Sequence, residues 1–200
     1  MAKNNDFGIN TQCVHVGEVE DKQFKGAVSP IYMATSYAFD GVDVKRYPRY
    51  FNTPNQEMLC KKIAALEHSE AGLIFGSGMA AISTALFAFL KAGDHIIIQQ
   101  VIYGGTYHLI VSEFEKYGIE YSFTDSDQVA DFIPLIKENT KVLYIETPSN
   151  PLLGITDIKA ISVLAKERNI ITMIDNTFAS PINQTPADFG IDIILHSATK

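Results

Sequence analysis

Beyond residue 71 the chain alternates between two patterns. Short runs dense in Ile, Val, Leu and aromatic residues recur: "GLIF" (72–75), "HIIIQ" (95–99), "IEYSFT" (119–124), "KVLYIE" (141–146), "IITMID" (170–175) and "DIILHS" (192–197). Amphipathic stretches of helix length separate most of them: "MAAISTALFAFLKAG" (79–93), "TYHLIVSEFEKYG" (106–118), "QVADFIPLIKE" (128–138) and "DIKAISVLAKERN" (157–169). The short runs predict strands and the long stretches predict helices. Their alternation predicts βαβ units, an α/β fold with a mostly parallel sheet. The strand runs are apolar throughout, as they are where helices cover both faces of a sheet.

Residues 1–55 read differently. They are polar and punctuated by Gly8, Gly17, Gly26, Gly41, Pro30, Pro48 and Pro54, which predicts irregular structure. Within them "AVSPIYMATSYAF" (27–39) is too apolar for a free tail, so the segment is expected to be an arm that wraps something. The periodicity of "NQEMLCKKIAALE" then predicts a helix starting near Asn55. The expected organisation is an N-terminal arm over 1–55 and a ligand-binding domain over 56–200.

In such sheets ligands bind beyond the carboxyl ends of the strands. There the sequence places "GSGM" (76–79), "YGG" (103–105), "ETPSNP" (146–151), "DNT" (175–177) and "HSATK" (196–200). The stretch from Gly76 to Ala81 satisfies G-x-G-x-x-A after a strand and before a helix, the dinucleotide fingerprint. That reading requires an acidic residue at the end of the next strand, and this chain has Gln99 and Gln100. A Walker loop is excluded because no lysine follows the glycines. A tight turn with no ligand is the bland alternative.

A helix N-terminus nevertheless attracts phosphate. Pyridoxal phosphate is a phosphate ligand that also needs a lysine amine for its aldehyde, a carboxylate for its ring nitrogen and an aromatic ring to stack on. Lys200 offers the amine, with Ser197 and Thr199 as phosphate donors beside it. Asp175 offers the carboxylate and Tyr103 the ring.

Charge narrows the field further. The 200 residues carry 16 basic and 23 acidic groups, net −7, with no basic cluster beyond Lys61–Lys62, against a nucleic-acid groove. No apolar run reaches membrane-spanning length, and the first ten residues lack the apolar segment of a secretory signal. Cys13 and Cys60 match no disulfide or metal spacing, and neither do the five histidines. The expectation is a metal-free cytoplasmic protein with reduced thiols.

Six ordered motifs, "YPRYFN" (47–52), "FGSGMAAI" (75–82), "YGGTY" (103–107), "ETPSNP", "DNTFASP" (175–181) and "SATK" (197–200), resemble the trans-sulfuration, or Cys/Met metabolism, enzymes that depend on pyridoxal phosphate. The resemblance covers nearly the whole chain. It implies a fold-type I large domain with Lys200 as the Schiff-base lysine. Gly78 and Met79 would offer backbone N–H groups to the phosphate, assisted by Ser197 and Thr199. Asp175 would pair with the pyridine nitrogen, Asn150 would lie near the phenolic oxygen, and Tyr103 would stack and serve in acid–base steps. Tyr47 and Arg49 would reach the phosphate of a neighbouring subunit, making the assembly a homodimer of shared sites and then a tetramer. One departure is that Thr53-Pro54 stands where the family usually has Pro-Thr.

By the same resemblance, the substrate is a sulfur amino acid of the cystathionine, homocysteine or cysteine type. The chemistry is C–S bond cleavage by β- or γ-elimination. A Cγ-replacement synthase is the alternative, and a non-catalytic pyridoxal-phosphate-binding regulatory module is the alternative of another class. Gly105 stands where methionine γ-lyases commonly carry cysteine, which disfavours that branch. Family members are longer, with a C-terminal domain carrying the arginine for the substrate carboxylate, so the chain is expected to be the front portion of such an enzyme.

Overall fold

The computed structural model describes residues 7–200, which form two compact units, one ending at Ile74 and one spanning 75–200. The first contains helices α1 (Ile9–His15) and α2 (Pro54–Leu66) and a 3-10 turn at Pro48–Tyr50. Helix α1 interrupts the stretch expected to be irregular. Seven residues are too few to be helical alone, and α1 is held by the Lys62 ammonium of α2. That group donates to the carbonyls of Cys13 and Val14, each at 2.8 Å, placing a cation on the carbonyl end of α1.

The Thr53-Pro54 order explains where α2 begins. Thr53 is extended and caps the helix, and the Gln56 Oε1 accepts from its N (3.1 Å) and its Oγ1 (2.8 Å). Pro54 then occupies the first helical position, where its missing N–H costs nothing. Both α2 and the residues up to Ile74 group with the first unit, so the division between the units falls after Ile74 and not at the expected position 55.

The second unit is built on five parallel strands, β1 (His95–Ile98), β2 (Glu120–Phe123), β3 (Thr140–Glu146), β4 (Ile171–Asp175) and β5 (Ile193–Leu195), in the order β2-β1-β3-β4-β5. Helices α3 (Gly78–Phe89), α4 (Gly104–Glu113) and α5 (Ile158–Arg168) cover it, and a single turn, α6 (Ser180–Asn183), follows β4. One face packs Ile96, Ile98, Val142, Tyr144 and Met173 against Leu86, Ile110 and Phe114. The other packs Ile97, Leu143, Ile145 and Ile174 against Ile158, Ile161 and Leu164 of α5. Successive residues of β1, β3 and β4 therefore enter opposite cores, and both cores are apolar, which is why the runs show no alternation.

Two predicted elements differ. "GLIF" joins no ladder of the sheet, and its Leu73 is 67 % exposed, so the run forms no strand although its composition suits one. "QVADFIPLIKE" forms 3-10 turns at Val129–Asp131 and Ile133–Leu135 instead of a helix. Pro134 cannot donate the bond that a helix would need at that point.

The chain leaves β1 for β2 on one side, then returns to place β3 on the other side of β1. That reversal opens a crevice at the carboxyl ends of β1 and β3, where ligands of such sheets bind.

Candidate functional site

Eight of the ten residues singled out from the sequence lie in the second unit. Glu146 and Asp175 end adjacent strands in register, and both are buried. Asp175 Oδ1 accepts from Thr177 N at 3.0 Å, and Thr177 Oγ1 accepts from Ser197 N at 2.9 Å, so the loops after β4 and β5 are tied together. Ser197 Oγ and Thr199 Oγ1 are 3.0 Å apart, and Lys200 Nζ donates to Thr199 Oγ1 at 3.4 Å. Ser197, Thr199 and Lys200 thus present two hydroxyls and an amine from one short loop.

The glycine loop arrives at the same place. Ser77 is extended and its hydroxyl accepts from Ala80 N at 3.0 Å, capping α3. The N–H groups of Gly78 and Met79 fall in the first turn, where no intrahelical carbonyl reaches them. A Cβ on Gly78 would stand 2.8 Å from Ser197 Cβ and 3.0 Å from its Oγ. Only a glycine lets the start of α3 come this close to the Ser197 loop.

Tyr103 precedes α4 with its ring half-exposed. A Cβ on Gly105 would meet that ring at 2.5 Å and Met79 Sδ at 3.0 Å, so ring, helix start and Met79 are close neighbours. Asn150 N donates to Glu146 Oε1 at 2.8 Å, and Tyr103 N donates to Glu146 Oε2 at 2.7 Å. Glu146 is therefore the joint between Tyr103 and Asn150, a role that the residue types of "ETPSNP" do not announce. Burial pushes its carboxyl up to about 7, with the charge of Asp175 adding and the two N–H donors opposing.

Gln99, where a dinucleotide site needs an acid, is fully buried with both ends of its amide occupied. Nε2 donates to Asp127 Oδ1 (3.0 Å), and Oε1 accepts from Thr156 Oγ1 (3.0 Å) and Glu146 N (3.2 Å). Tyr47 and Arg49 belong to the first unit and are exposed; Tyr47 packs edge-on against Tyr50, with ring centroids 5.3 Å apart. Among the described residues no cluster of His, Cys, Asp or Glu could hold a metal ion, and no helix is long and apolar enough to cross a membrane.

The chain is 46 % identical over 204 residues to the cystathionine beta-lyase MetC of Bacillus subtilis, covering all of this chain and 51 % of that one. It is 37 % identical over 194 residues to the cystathionine gamma-synthase/O-acetylhomoserine (thiol)-lyase of the same organism, covering 96 % and 52 %. The structure superposes on metY of Campylobacter jejuni with a TM-score of 0.90 and 33 % identity, over 97 % of this chain and 50 % of that one. The metY structure carries N'-pyridoxyl-lysine-5'-monophosphate. The chain thus spans about half the length of these relatives. A family profile described as Cys/Met metabolism PLP-dependent enzyme matches residues 10–200, and the chain belongs to that family.

Proposed function

We propose that this chain binds pyridoxal phosphate through Lys200 and contributes the cofactor half of a C–S lyase acting on cystathionine-like, homocysteine or cysteine-type amino acids. The observation that carries the reading is the close approach of Gly78 to Ser197. It sets the free N–H groups of a helix start beside two hydroxyls and a lysine amine, which are the donors that a phosphate ester and an aldehyde require. The residues present fit the group.

When bound, the cofactor supplies an electron sink for charge developing at the substrate α-carbon. The Lys200 amine would anchor it and, once displaced by the substrate's own amine, would be free to act as the base toward the α-proton. Gly78 and Met79 N–H with Ser197 and Thr199 hydroxyls hold the phosphate, while buried Asp175 keeps the ring nitrogen protonated. Tyr103 stacks on the ring and passes a proton at the leaving group, and Asn150 contacts the phenolic oxygen. Tyr47 and Arg49 serve the phosphate of a second copy, in a homodimer that pairs into a tetramer. The exposure of Phe24 (79 %), Ile31 (79 %) and Met33 (85 %) supports a docked arm. Both cysteines are free thiols, in keeping with a cytoplasmic enzyme.

Cγ-replacement is the second reading, favoured by the likeness to the Bacillus gamma-synthase. The test is the visible spectrum of the protein with pyridoxal phosphate, before and after borohydride, with peptide mass mapping. A yellow band abolished by reduction, with the pyridoxyl mass on Lys200, is the expected result. A protein that stays colourless with added cofactor refutes it.

A further inference from the structure

We infer that Glu146 is a positioning residue for cofactor binding: its carboxylate, taking one N–H from the loop before α4 and one from the loop after β3, fixes Tyr103 and Asn150 relative to each other. The inference rests on the reading above, in which those two residues flank the cofactor ring.

The geometry needs a carboxylate in particular. Oε2 accepts from Tyr103 N at 2.7 Å and Oε1 from Asn150 N at 2.8 Å, so both arms must be acceptors at once. An ionised Glu is acceptor-only, whereas a glutamine amide sets one N–H₂ against an N–H. The strand supports the clamp from below, since Glu146 N donates to Gln99 Oε1 (3.2 Å), and Gln99 also accepts from Thr156 Oγ1 (3.0 Å). One buried network thus joins β1, β3 and the loops that follow them, across the crevice where the sheet order reverses.

A buried carboxylate is a poor way to stabilise a fold. Glu146 shows the strain, its carboxyl pushed up to about 7 by burial. The ionisable groups acting with it are Asp175 on β4 and Tyr144 on its own strand. From β1 it meets the neutral Gln99, and from the two loops the N–H groups of Tyr103 and Asn150. A group retained at this cost at a strand's carboxyl end is explained by the two loops that it orients.

The experiment is a pyridoxal-phosphate titration of the full chain and of Glu146→Gln, followed by absorbance between about pH 6 and pH 8.5, with urea unfolding of the cofactor-free proteins alongside. At the alkaline end the variant is expected to bind roughly ten- to a hundredfold more weakly, the consequence of one unsatisfied buried donor. Toward pH 6 the wild-type carboxyl takes a proton and comes to resemble the amide, so the ratio of dissociation constants falls toward one. Titrations of the cofactor itself cancel in that ratio. A ratio near one throughout overturns the inference. So does a pH-independent ratio matched by an equal loss of unfolding stability, since that is what a purely structural role produces. If Glu146→Gln does not fold, Glu146→Asp replaces it: the shorter arm keeps the charge but reaches one donor at most, and wild-type affinity at pH 8.5 overturns the inference. Failure of the wild-type chain to bind the cofactor strikes the proposed function instead.

Discussion

Gly78→Ala tests whether the start of α3 and the loop of Ser197 form one phosphate cradle. The added Cβ would stand 2.8 Å from Ser197 Cβ and 3.2 Å from Ser197 Cα. Carbon atoms rest at about 3.5–4.0 Å, so roughly 0.7 Å or more must open. The second contact is with backbone, which no rotamer change of Ser197 relieves. Either α3 or the loop must move, at an overpacking cost of about 1–3 kcal/mol. Alanine offsets part of this through its better helix propensity, worth up to about 1 kcal/mol over glycine. The cofactor-free protein should therefore lose about 0–2 kcal/mol, readable as a shifted urea midpoint with unchanged slope. Binding should suffer more. A phosphate held from both sides keeps full hydrogen bonds to the helix N–H groups or to the Ser197 and Thr199 hydroxyls, but no longer to both. Losing one charge-assisted bond of about 1.5–3 kcal/mol weakens binding about ten- to a hundredfold. The assay is absorbance titration with pyridoxal phosphate beside urea unfolding of the same preparation. A variant that is destabilised yet binds with wild-type affinity would refute the cradle, because the strain would have been absorbed away from the phosphate donors.

Three further outcomes follow from other parts of the chain. His95 is fully buried, with Nδ1 2.8 Å from Thr140 Oγ1 and Nε2 3.0 Å from Ser122 Oγ, and its pKa is lowered by burial first and then by Lys137. A histidine lowered on folding contributes stability that is whole above its unfolded value of about 6.5 and is lost as pH falls below it. Urea midpoints should therefore drop more steeply below about pH 6.5 in the wild type than in His95→Gln, and parallel curves would contradict this. Leu86→Ala removes a fully buried side chain between α3 and the sheet and should cost about 2–5 kcal/mol in urea unfolding, with a smaller loss meaning that the core collapses into the gap. Lys62→Met removes both hydrogen bonds to the end of α1, so amide exchange over residues 9–15 should accelerate while the sheet stays protected, and unchanged exchange would show that α1 is held by other contacts.

What could be read from the sequence, and what could not, divides along the range of the interaction. All five strands and helices α2, α3, α4 and α5 announce themselves because burial and period are local properties, and Ser77 and Asp157 cap α3 and α5 through their own side chains. Helix α1 does not, because the lysine that holds it lies 48 and 49 residues from its acceptors. "QVADFIPLIKE" misleads because apolar spacing is counted without the N–H that Pro134 lacks. At the site, side chains that bring their own chemistry, Lys200, Asp175 and Tyr103, were visible as residue types at strand ends. Glu146 was not, since what it binds is two backbone N–H groups, and every residue but proline has one. Gln99 is the instructive intermediate. In the sequence Gln99 counts only as the missing acid of a dinucleotide site. In the structure its amide donates to Asp127 and accepts from Thr156 and Glu146 N at once. A carboxylate at 99 would face the carboxylate of Asp127 with no hydrogen to offer, so the acid that one cofactor requires is the residue this network could not accommodate.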